Sequence, residues 1–277
     1  MASIFFYTKS PETSIFDLEF FKESKLDLKK IKDVIDKRKA EYNEHKVFNK
    51  EGYTQINLDE SKGILSSSFI FENKLGQFTT VTYDENTGGL KISRSPYSYF
   101  GQSRLIITDD LNIVFKATYS SEENIKSKSI AFFEQIGIEI EPIKFDNSIF
   151  QFIRNNYDWS KIKIQRIERE KDSTKSLSYE IDPASDKESE VDKIYNDSGI
   201  FEHITFNLEF KNDLYVVKLY KMGNKITVDE SQFDSKEIFE EFCLFLLSKL
   251  IEIKNLKVIK SDLNDENLNV ESYEGEE

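Results

Sequence analysis

The chain has few of the side chains that most often act as nucleophiles or hold transition metals. It contains one cysteine, Cys243, and two histidines, His45 and His203, in 277 residues. Cys243 lies in an apolar stretch with nothing basic positioned to activate it, which predicts a buried structural thiol. Neither histidine has a second His or Cys at ligand spacing, so each is expected to be an ordinary surface or interface residue. We therefore predict no metal site and no other cofactor.

Asp and Glu carboxylates are the alternative candidates for catalytic groups. A metal-dependent nuclease commonly uses Glu-x-Lys on a strand, where the acid binds the cation and the lysine orients the attacking water. Glu209-Phe210-Lys211 and Glu72-Asn73-Lys74 both stand at the ends of predicted strands. However, 51 acids and 32 lysines give about 6 acid-x-Lys tripeptides by chance and the chain has 8, so the motif has little specificity here. The motifs G-x-x-x-x-G-K-[ST], G-x-G-x-x-G, G-x-S-x-G and H-E-x-x-H are absent from the sequence.

One segment, residues 86–108, combines groups suited to binding a polyanion or an acidic protein segment. It has no acidic residue over 23 positions and contains arginines and tyrosines between serines. Arginine can bind phosphate or carboxylate through two parallel hydrogen bonds, and tyrosine offers a flat face for stacking. We predict a binding surface around a loop at 94–104, extended by basic residues further along the chain. Its members are Lys91, Arg94, Tyr97, Tyr99, Arg104, Lys161, Lys163 and Arg166.

The elements that position these residues follow from the spacing of apolar side chains. Helical spacing predicts helices over 24–42, from about 120 to 137, and over 235–254. Alternating patterns predict strands over 53–58, 64–71, 77–83, 90–93, 104–108, 111–117, 137–145, 161–169, 204–210, 214–220 and 225–228. Short loops between successive strands favour antiparallel pairing. The expected fold class is therefore α+β, with mostly antiparallel sheets and covering helices in two packed subdomains.

The negative charge is concentrated in two segments. The net charge is −13, and residues 176–198 and 261–277 together hold 14 acidic and 2 basic side chains, which accounts for −12 of it. Both segments are poor in periodic apolar residues, so we expect a flexible acidic loop and a disordered acidic tail. The predicted organisation is an N-terminal α+β subdomain over 1–145 and a C-terminal one over 146–260 that carries the loop, followed by the tail at 261–277.

Two further features limit the class of protein. A single cysteine excludes an intramolecular disulfide framework, which predicts a cytoplasmic location. No stretch approaches the roughly 18 apolar residues of a membrane-spanning helix, so no membrane span is predicted. The acidic segments also disfavour strong non-specific nucleic-acid binding by the whole chain.

Four stretches carry a resemblance to a known family. They are Arg104-Leu-Ile-Ile-Thr-Asp-Asp-Leu-Asn-Ile-Val-Phe, Ser129-Ile-Ala-Phe-Phe, Asn224-Lys-Ile-Thr-Val and Lys236-Glu-Ile-Phe-Glu-Glu-Phe-Cys-Leu-Phe-Leu-Leu. In element order and chain length, residues 104–136 and 224–250 resemble the bacterial phage-exclusion proteins of the RexA type, and KwaB of the Kiwa defence system is similar. The resemblance implies a non-enzymatic intracellular protein that binds DNA or a partner subunit and senses or blocks phage. It carries over no functional residue, because it includes no diagnostic motif.

The leading hypothesis is a non-catalytic intracellular binding protein of a bacterial antiphage defence or phage-exclusion system. It would act through DNA or through a partner protein, which could be a second copy in a homo-oligomer. One alternative is a metal-dependent nuclease that uses Asp and Glu carboxylates. The other is an acidic decoy, in which the loop and tail imitate a polyanion toward a basic partner.

Overall fold

The structure is a computed structural model that describes residues 1–11, 19–22, 25–118, 122–185, 189–195 and 198–270, with the side chains of the last helix described to residue 255. The contacts divide the chain into two units, Ala2–Pro142 and Met1 with Ile143–Glu277. Each unit is described by itself below. That the two form packed subdomains stays a prediction.

The N-terminal unit is built on an antiparallel sheet. Its elements are β1 (Ala2–Lys9), β2 (Phe21–Lys22), β3 (Lys25–Leu26), α1 (Leu28–Asp36), β4 (Glu41–Tyr42), β5 (Phe48–Lys50), β6 (Gly52–Asp59), β7 (Ile64–Asp84), β8 (Gly89–Thr108), β9 (Ile113–Thr118), α2 (Glu122–Gln135) and β10 (Ile140–Pro142). The sheet order is β10-β1-β9-β8-β7-β6, and β2 with β3 and β4 with β5 form two small hairpins. All of these pairings are antiparallel.

Helices α1 and α2 pack on one face of this sheet. Ile31 and Ile35 of α1 and Phe133 of α2 are fully buried in a cluster with Phe71 and Phe115 of the strands. Asp27 caps α1 by accepting hydrogen bonds from two backbone amides of its first turn. The helix is shorter than the predicted 24–42, because the backbone after residue 36 turns away to pair with β6.

Strands β7 and β8 are much longer than the sequence pattern predicts. Each merges two predicted strands, and the predicted loop at 94–104 is wrong because these residues lie inside β8. The break between the strands predicted at 64–71 and 77–83 is a β-bulge between Lys74 and Gly76, where the φ of 117° at the glycine absorbs the extra residue. Strand β7 therefore continues through a segment whose composition is typical of a turn.

The C-terminal unit consists of antiparallel strands and helices that pack on them. Its elements are α3 (Asn147–Asn156), β11 (Trp159–Gln165), β12 (Ser176–Glu180), α4 (Glu190–Tyr195), β13 (Ile200–Phe210), β14 (Asp213–Tyr220), β15 (Lys225–Val228) and α5 (Lys236–Val270), with short 3-10 turns at Met222–Asn224 and Glu230–Gln232. The strand order within the unit is β12-β11-β13-β14-β15. Phe150 of α3 stacks on Phe201 at 5.8 Å, and Phe242 of α5 contacts Phe210 at 5.6 Å between ring centroids. Cys243 is buried in α5, as predicted.

The predicted flexible loop at 176–198 is in part regular structure, which corrects that expectation. Strand β12 pairs with β11, and Glu180 forms an ion pair with Lys161 on the neighbouring strand. In α4, Asp192 accepts hydrogen bonds from Arg154 Nε at 3.1 Å and from the Tyr179 hydroxyl at 2.6 Å. These ion pairs and hydrogen bonds keep acidic residues of the segment in regular structure, although the composition of the segment predicts a loop. Residues 186–188 and 196–197 lie outside the described residues.

Helix α5 extends past its predicted end at residue 254 to Val270. The first ten positions of the predicted disordered tail are therefore helical, and no glycine or proline interrupts residues 236–270. Residues 271–277 of that tail lie outside the described residues, as does the predicted start of α2 at residue 120. At the other end of α2, Gly137 has a left-handed conformation with a φ of 74°, which is typical of the residue that follows a helix.

The described residues combine helices with antiparallel sheets, as the sequence predicts for the α+β class. Among the helices of this described part, none has the length and apolar character needed to cross a membrane.

Candidate functional site

A long and mostly exposed element of the described chain is the outer part of the β7–β8 hairpin, residues 74–98, which we call the ribbon. Strand β6 pairs with β7 only as far as Ile70, and β9 pairs with β8 only from Gln102. Beyond these points β7 and β8 pair with each other alone, to the turn at 84–89. Within the described residues, both outer edges of the ribbon therefore have no strand partner.

One face of the ribbon carries four exposed apolar side chains. Val81 lies opposite Ile92 and Tyr83 lies opposite Leu90 in the register. Directly opposite and alternate residues share a face, so the four form one apolar patch. Their exposed fractions run from 55% at Val81 to 75% at Leu90, which are values expected of charged rather than aliphatic side chains. Arg94 follows on the same face, opposite Thr79.

The other face of the ribbon carries the remaining predicted residues of this segment. Tyr97 meets Phe78 edge to face with ring centroids 6.5 Å apart, and both are about half exposed. Lys91 lies opposite Thr82, and Tyr99 lies opposite Asn73 at the base of the ribbon. The structure thus places Lys91, Tyr97 and Tyr99 on one face and Arg94 on the opposite one.

Arg104 lies below the ribbon, inside the sheet. Its Nη2 donates to Ser66 Oγ at 2.9 Å and its Nη1 to the carbonyl of Gln55 at 3.4 Å. These bonds join β8 to β7 and β6, so the guanidinium has a structural role in the sheet. The predicted surface around residues 94–104 is therefore not one loop but a ribbon and its base.

The three remaining predicted residues lie in the C-terminal unit, in or next to β11. Lys163, His203, Tyr220 and Lys225 are successive cross-strand neighbours, and the next row is Lys161, Thr205, Lys218 and Thr227. These two rows form a basic sheet face. Arg166 is exposed just beyond the end of β11, with a φ of 53°.

The basic sheet face is partly neutralised by its own unit. Lys161 pairs with Glu180, and Lys163 pairs with Glu202 at 2.8 Å. Lys218 and Lys225, which sequence analysis missed, lie over the ring of Tyr220 at 4.8 and 4.9 Å from its centroid. The position of these lysines around a shared tyrosine becomes visible only when strands β14 and β15 are in register.

His203 is buried in the same face, which corrects its assignment as a surface or interface residue. It is 7% exposed and its Nε2 has no hydrogen-bond partner among the described residues. Burial and then the charge of Lys218 lower its pKa to about 4, with smaller effects of Lys163 and Lys161 in the same direction. The imidazole is therefore neutral at pH 7. His45, by contrast, is exposed on the β4–β5 hairpin.

A third site, missed by sequence analysis, is a cleft of about 590 Å³ in the N-terminal unit. We call it the cationic cleft. It lies between the end of α1, the β4–β5 hairpin, β6 and α2. Five of its lining residues are basic and three are acidic, so the lining is net positive in a chain of net charge −13. The basic residues are Lys37, Arg38, Lys39, Lys50 and Lys128.

The floor of the cationic cleft is aromatic. Tyr53 contacts Phe69 at 4.9 Å and Phe132 at 5.3 Å between ring centroids. The Arg38 guanidinium lies 5.4 Å from the centroid of Phe132, and its Nη1 donates to Gln135 Oε1 at 2.7 Å. Burial raises the pKa of the Tyr53 phenol, which therefore stays neutral.

Lys128 and Glu51 form an ion pair on the wall of the cleft. Burial lowers the pKa of Lys128, so its ammonium group is less well solvated than a surface lysine. Glu51 also accepts a hydrogen bond from the backbone amide of Glu72 at 2.7 Å. The wall of the cleft is thereby bonded to the strand that continues into the ribbon.

The carboxylates of the two acid-x-Lys tripeptides lie apart from any metal-binding cluster among the described residues. In the part of the chain that the structure describes, no group of three or more His, Cys, Asp or Glu side chains is placed to hold a metal ion. Glu209 is exposed at the end of β13, where Lys211 pairs with Glu241 at 2.5 Å. In the other tripeptide, Asn73 is buried and accepts a hydrogen bond from Asn124 at 2.7 Å. The nuclease alternative stays a hypothesis without a defined site.

Comparison of the chain with models of known protein families, and with curated protein sequences, finds no match.

Proposed function

We propose that this chain is a non-catalytic binding protein that assembles with a second copy of itself through the ribbon. The observation that supports it best is the exposed apolar patch of Val81, Tyr83, Leu90 and Ile92 on an element with two unpaired edges. Contiguous apolar patches and free strand edges on a soluble chain are typical of protein contact sites. Two ribbons that pack face to face would remove both patches from water.

The charges beside the patch suit a two-fold, antiparallel arrangement of the two ribbons. The middle of the patch lies between the pairs Val81–Ile92 and Tyr83–Leu90. Arg94 is three residues from this middle on one side, and Glu85 in the turn is three residues away on the other. At about 3.3 Å per residue, each is roughly 10 Å from the centre. A two-fold axis through the centre therefore brings Arg94 of each copy near Glu85 of the other.

The expected affinity of this contact is weak. Burying four partly exposed apolar side chains from each copy would gain on the order of 10 kcal/mol. The loss of translational and rotational freedom costs about 4–15 kcal/mol, which is of the same size. At the lower end of that cost about 6 kcal/mol remains, so we expect a dissociation constant of tens of micromolar or weaker.

The ribbon is better suited to protein than to nucleic acid. A two-stranded ribbon has dimensions that fit the major groove of DNA. However, residues 74–98 contain three basic and two acidic side chains, and the whole chain has a net charge of −13. Phosphate contacts supply most of the affinity of nucleic-acid binding, and a ribbon with a net charge near +1 offers few of them. The four exposed apolar side chains have no role in such contacts.

The proposal is tested by Ile92→Glu, with Leu214→Glu as the matched control. Both residues are exposed apolar positions on hairpin strands, at 69% and 65%, but Leu214 lies in the C-terminal unit. We expect Ile92→Glu to abolish the dimer in size-exclusion chromatography with light scattering, because it buries a carboxylate in the patch. Leu214→Glu should leave the dimer intact.

A dimer that survives Ile92→Glu would refute the ribbon as the contact. Electrophoretic mobility shifts of duplex DNA test the nucleic-acid hypothesis. Specific DNA binding by a monomer that is lost in Arg94→Glu would also overturn the proposal, in favour of the nucleic-acid hypothesis. The role in antiphage defence, like the cytoplasmic location, stays a prediction from the sequence.

A further inference from the structure

The cationic cleft has the chemistry of a small-molecule site. Its volume of about 590 Å³ lies within the range of pockets that enclose ligands of drug or nucleotide size. An aromatic floor suits a flat ring, and a cationic rim suits an anionic group. A ligand that uses both must carry an aromatic ring and a phosphate or carboxylate.

We propose that the cationic cleft binds a mononucleotide, with the base against the aromatic floor and the phosphate at the cationic rim. The ring of Phe69 is the partly exposed part of that floor. Stacking of a base on an aromatic side chain contributes about 1–3 kcal/mol, and it does so for any base. We therefore expect binding that depends on both parts of the ligand and only weakly on the identity of the base.

Arg38 is the residue best placed to bind the phosphate. Its contacts among the described residues are an amide oxygen of Gln135 and the ring of Phe132, and no carboxylate lies within ion-pair distance. The guanidinium is therefore held in position while its charge is not neutralised. A planar guanidinium can offer a phosphate two parallel hydrogen bonds. Lys37, exposed beside it, likewise has no carboxylate partner in the described residues.

Lys128 supplies a second, more buried cation. It is held by Glu51, and its lowered pKa shows that the ammonium group is partly desolvated. A phosphate that enters the cleft would share this ammonium with Glu51. Electrostatic attraction is stronger at a desolvated cation than at a surface lysine.

The test is isothermal titration of the full chain with AMP, GMP, CMP and UMP, alongside adenosine and inorganic phosphate. We expect all four nucleotides to bind with similar affinity, and adenosine and phosphate each to bind at least tenfold more weakly. Equal binding of phosphate alone would refute the role of the aromatic floor. Equal binding of adenosine would refute the role of the cations, and no binding of any nucleotide would overturn the proposal.

Two substitutions assign the binding to this cleft. Arg38→Gln should weaken AMP binding at least tenfold, and Arg38→Lys should restore part of it, because the charge returns without the paired hydrogen bonds. Lys29→Gln is the matched control, since Lys29 is an exposed lysine of the same unit, 2.8 Å from Glu60 and outside the cleft. Arg38 is itself exposed, so the variant is expected to fold, and circular dichroism checks this.

AMP binding unchanged in Arg38→Gln would refute this cleft as the site. The nucleotide proposal and the dimer proposal are independent, because none of the cleft residues lies in the ribbon. Titration of AMP into Ile92→Glu separates them: the cleft should bind AMP with the same affinity whether or not the chain dimerises.

Discussion

At the scale of single residues, His203 shows how the fold changes the chemistry of a side chain. Its imidazole lies among Lys161, Lys163 and Lys218 on the basic sheet face, and burial is the largest cause of its lowered pKa. A histidine that is neutral in the fold but able to take up a proton when unfolded links stability to pH. The same surroundings make it unsuited to act as an acid at neutral pH.

We predict that His203 makes the fold less stable in mild acid. An unfolded histidine takes up a proton below about pH 6.5, whereas the folded one resists protonation down to about pH 4. The contribution of neutral His203 to the free energy of unfolding is therefore complete above pH 6.5. It is lost as the pH falls toward 4, by up to about 1 kcal/mol per pH unit. Denaturant unfolding at several pH values should show a shallower dependence in His203→Gln.

The exposed His45 offers the control for this measurement. His45→Gln should follow the pH dependence of the original chain. An unchanged slope in His203→Gln would show that the buried imidazole does not link stability to pH.

Sequence analysis identified some of the candidate residues but not their arrangement. Lys91 and Arg94 could be found because the acid-free segment around them is visible in the composition. The apolar patch could not, because alternating residues such as Val81 and Tyr83 have the pattern of a strand with one face in a core. Only the structure shows that nothing in the described chain covers that face. The cationic cleft combines distant segments, such as Arg38 and Lys128, which no local pattern connects.

At the scale of elements, the ribbon is the main departure from the sequence prediction. The sequence predicts strands at both ends of the β7–β8 hairpin, at 64–71 and 104–108 near its base and at 77–83 and 90–93 near its tip. It predicts turns or loops for the stretches between them, because glycine, asparagine and serine are frequent there. The register of a long hairpin is set by all of its cross-strand pairs together. One bulge at Gly76 absorbs the single extra residue and lets the pairing continue on both sides.

The register of the ribbon leads to a charge-reversal prediction. If Arg94 of one copy faces Glu85 of the other, Arg94→Glu should weaken the dimer about tenfold by placing like charges together. The double variant Arg94→Glu with Glu85→Arg should restore it, because both pairs are reversed. Analytical ultracentrifugation of the two variants measures the difference. A double variant as weak as the single one would contradict the antiparallel arrangement.

At the scale of the whole molecule, the acidic surplus and the ribbon occupy different parts of the sequence. The acidic surplus lies in 176–198 and 261–277, whereas the ribbon has nearly balanced charge and exposed apolar side chains. A strongly acidic chain resists non-specific association, so contact is favoured only where the local charge is low. The ribbon meets that condition, and its ends carry opposite charges. The overall composition predicts the acidity but not this separation.

The most direct test of self-association is sedimentation equilibrium of the unmodified chain over a concentration series from micromolar to millimolar. The account predicts an average mass that rises with concentration from 32.5 kDa toward twice that value. A mass that stays at 32.5 kDa across the series would contradict it.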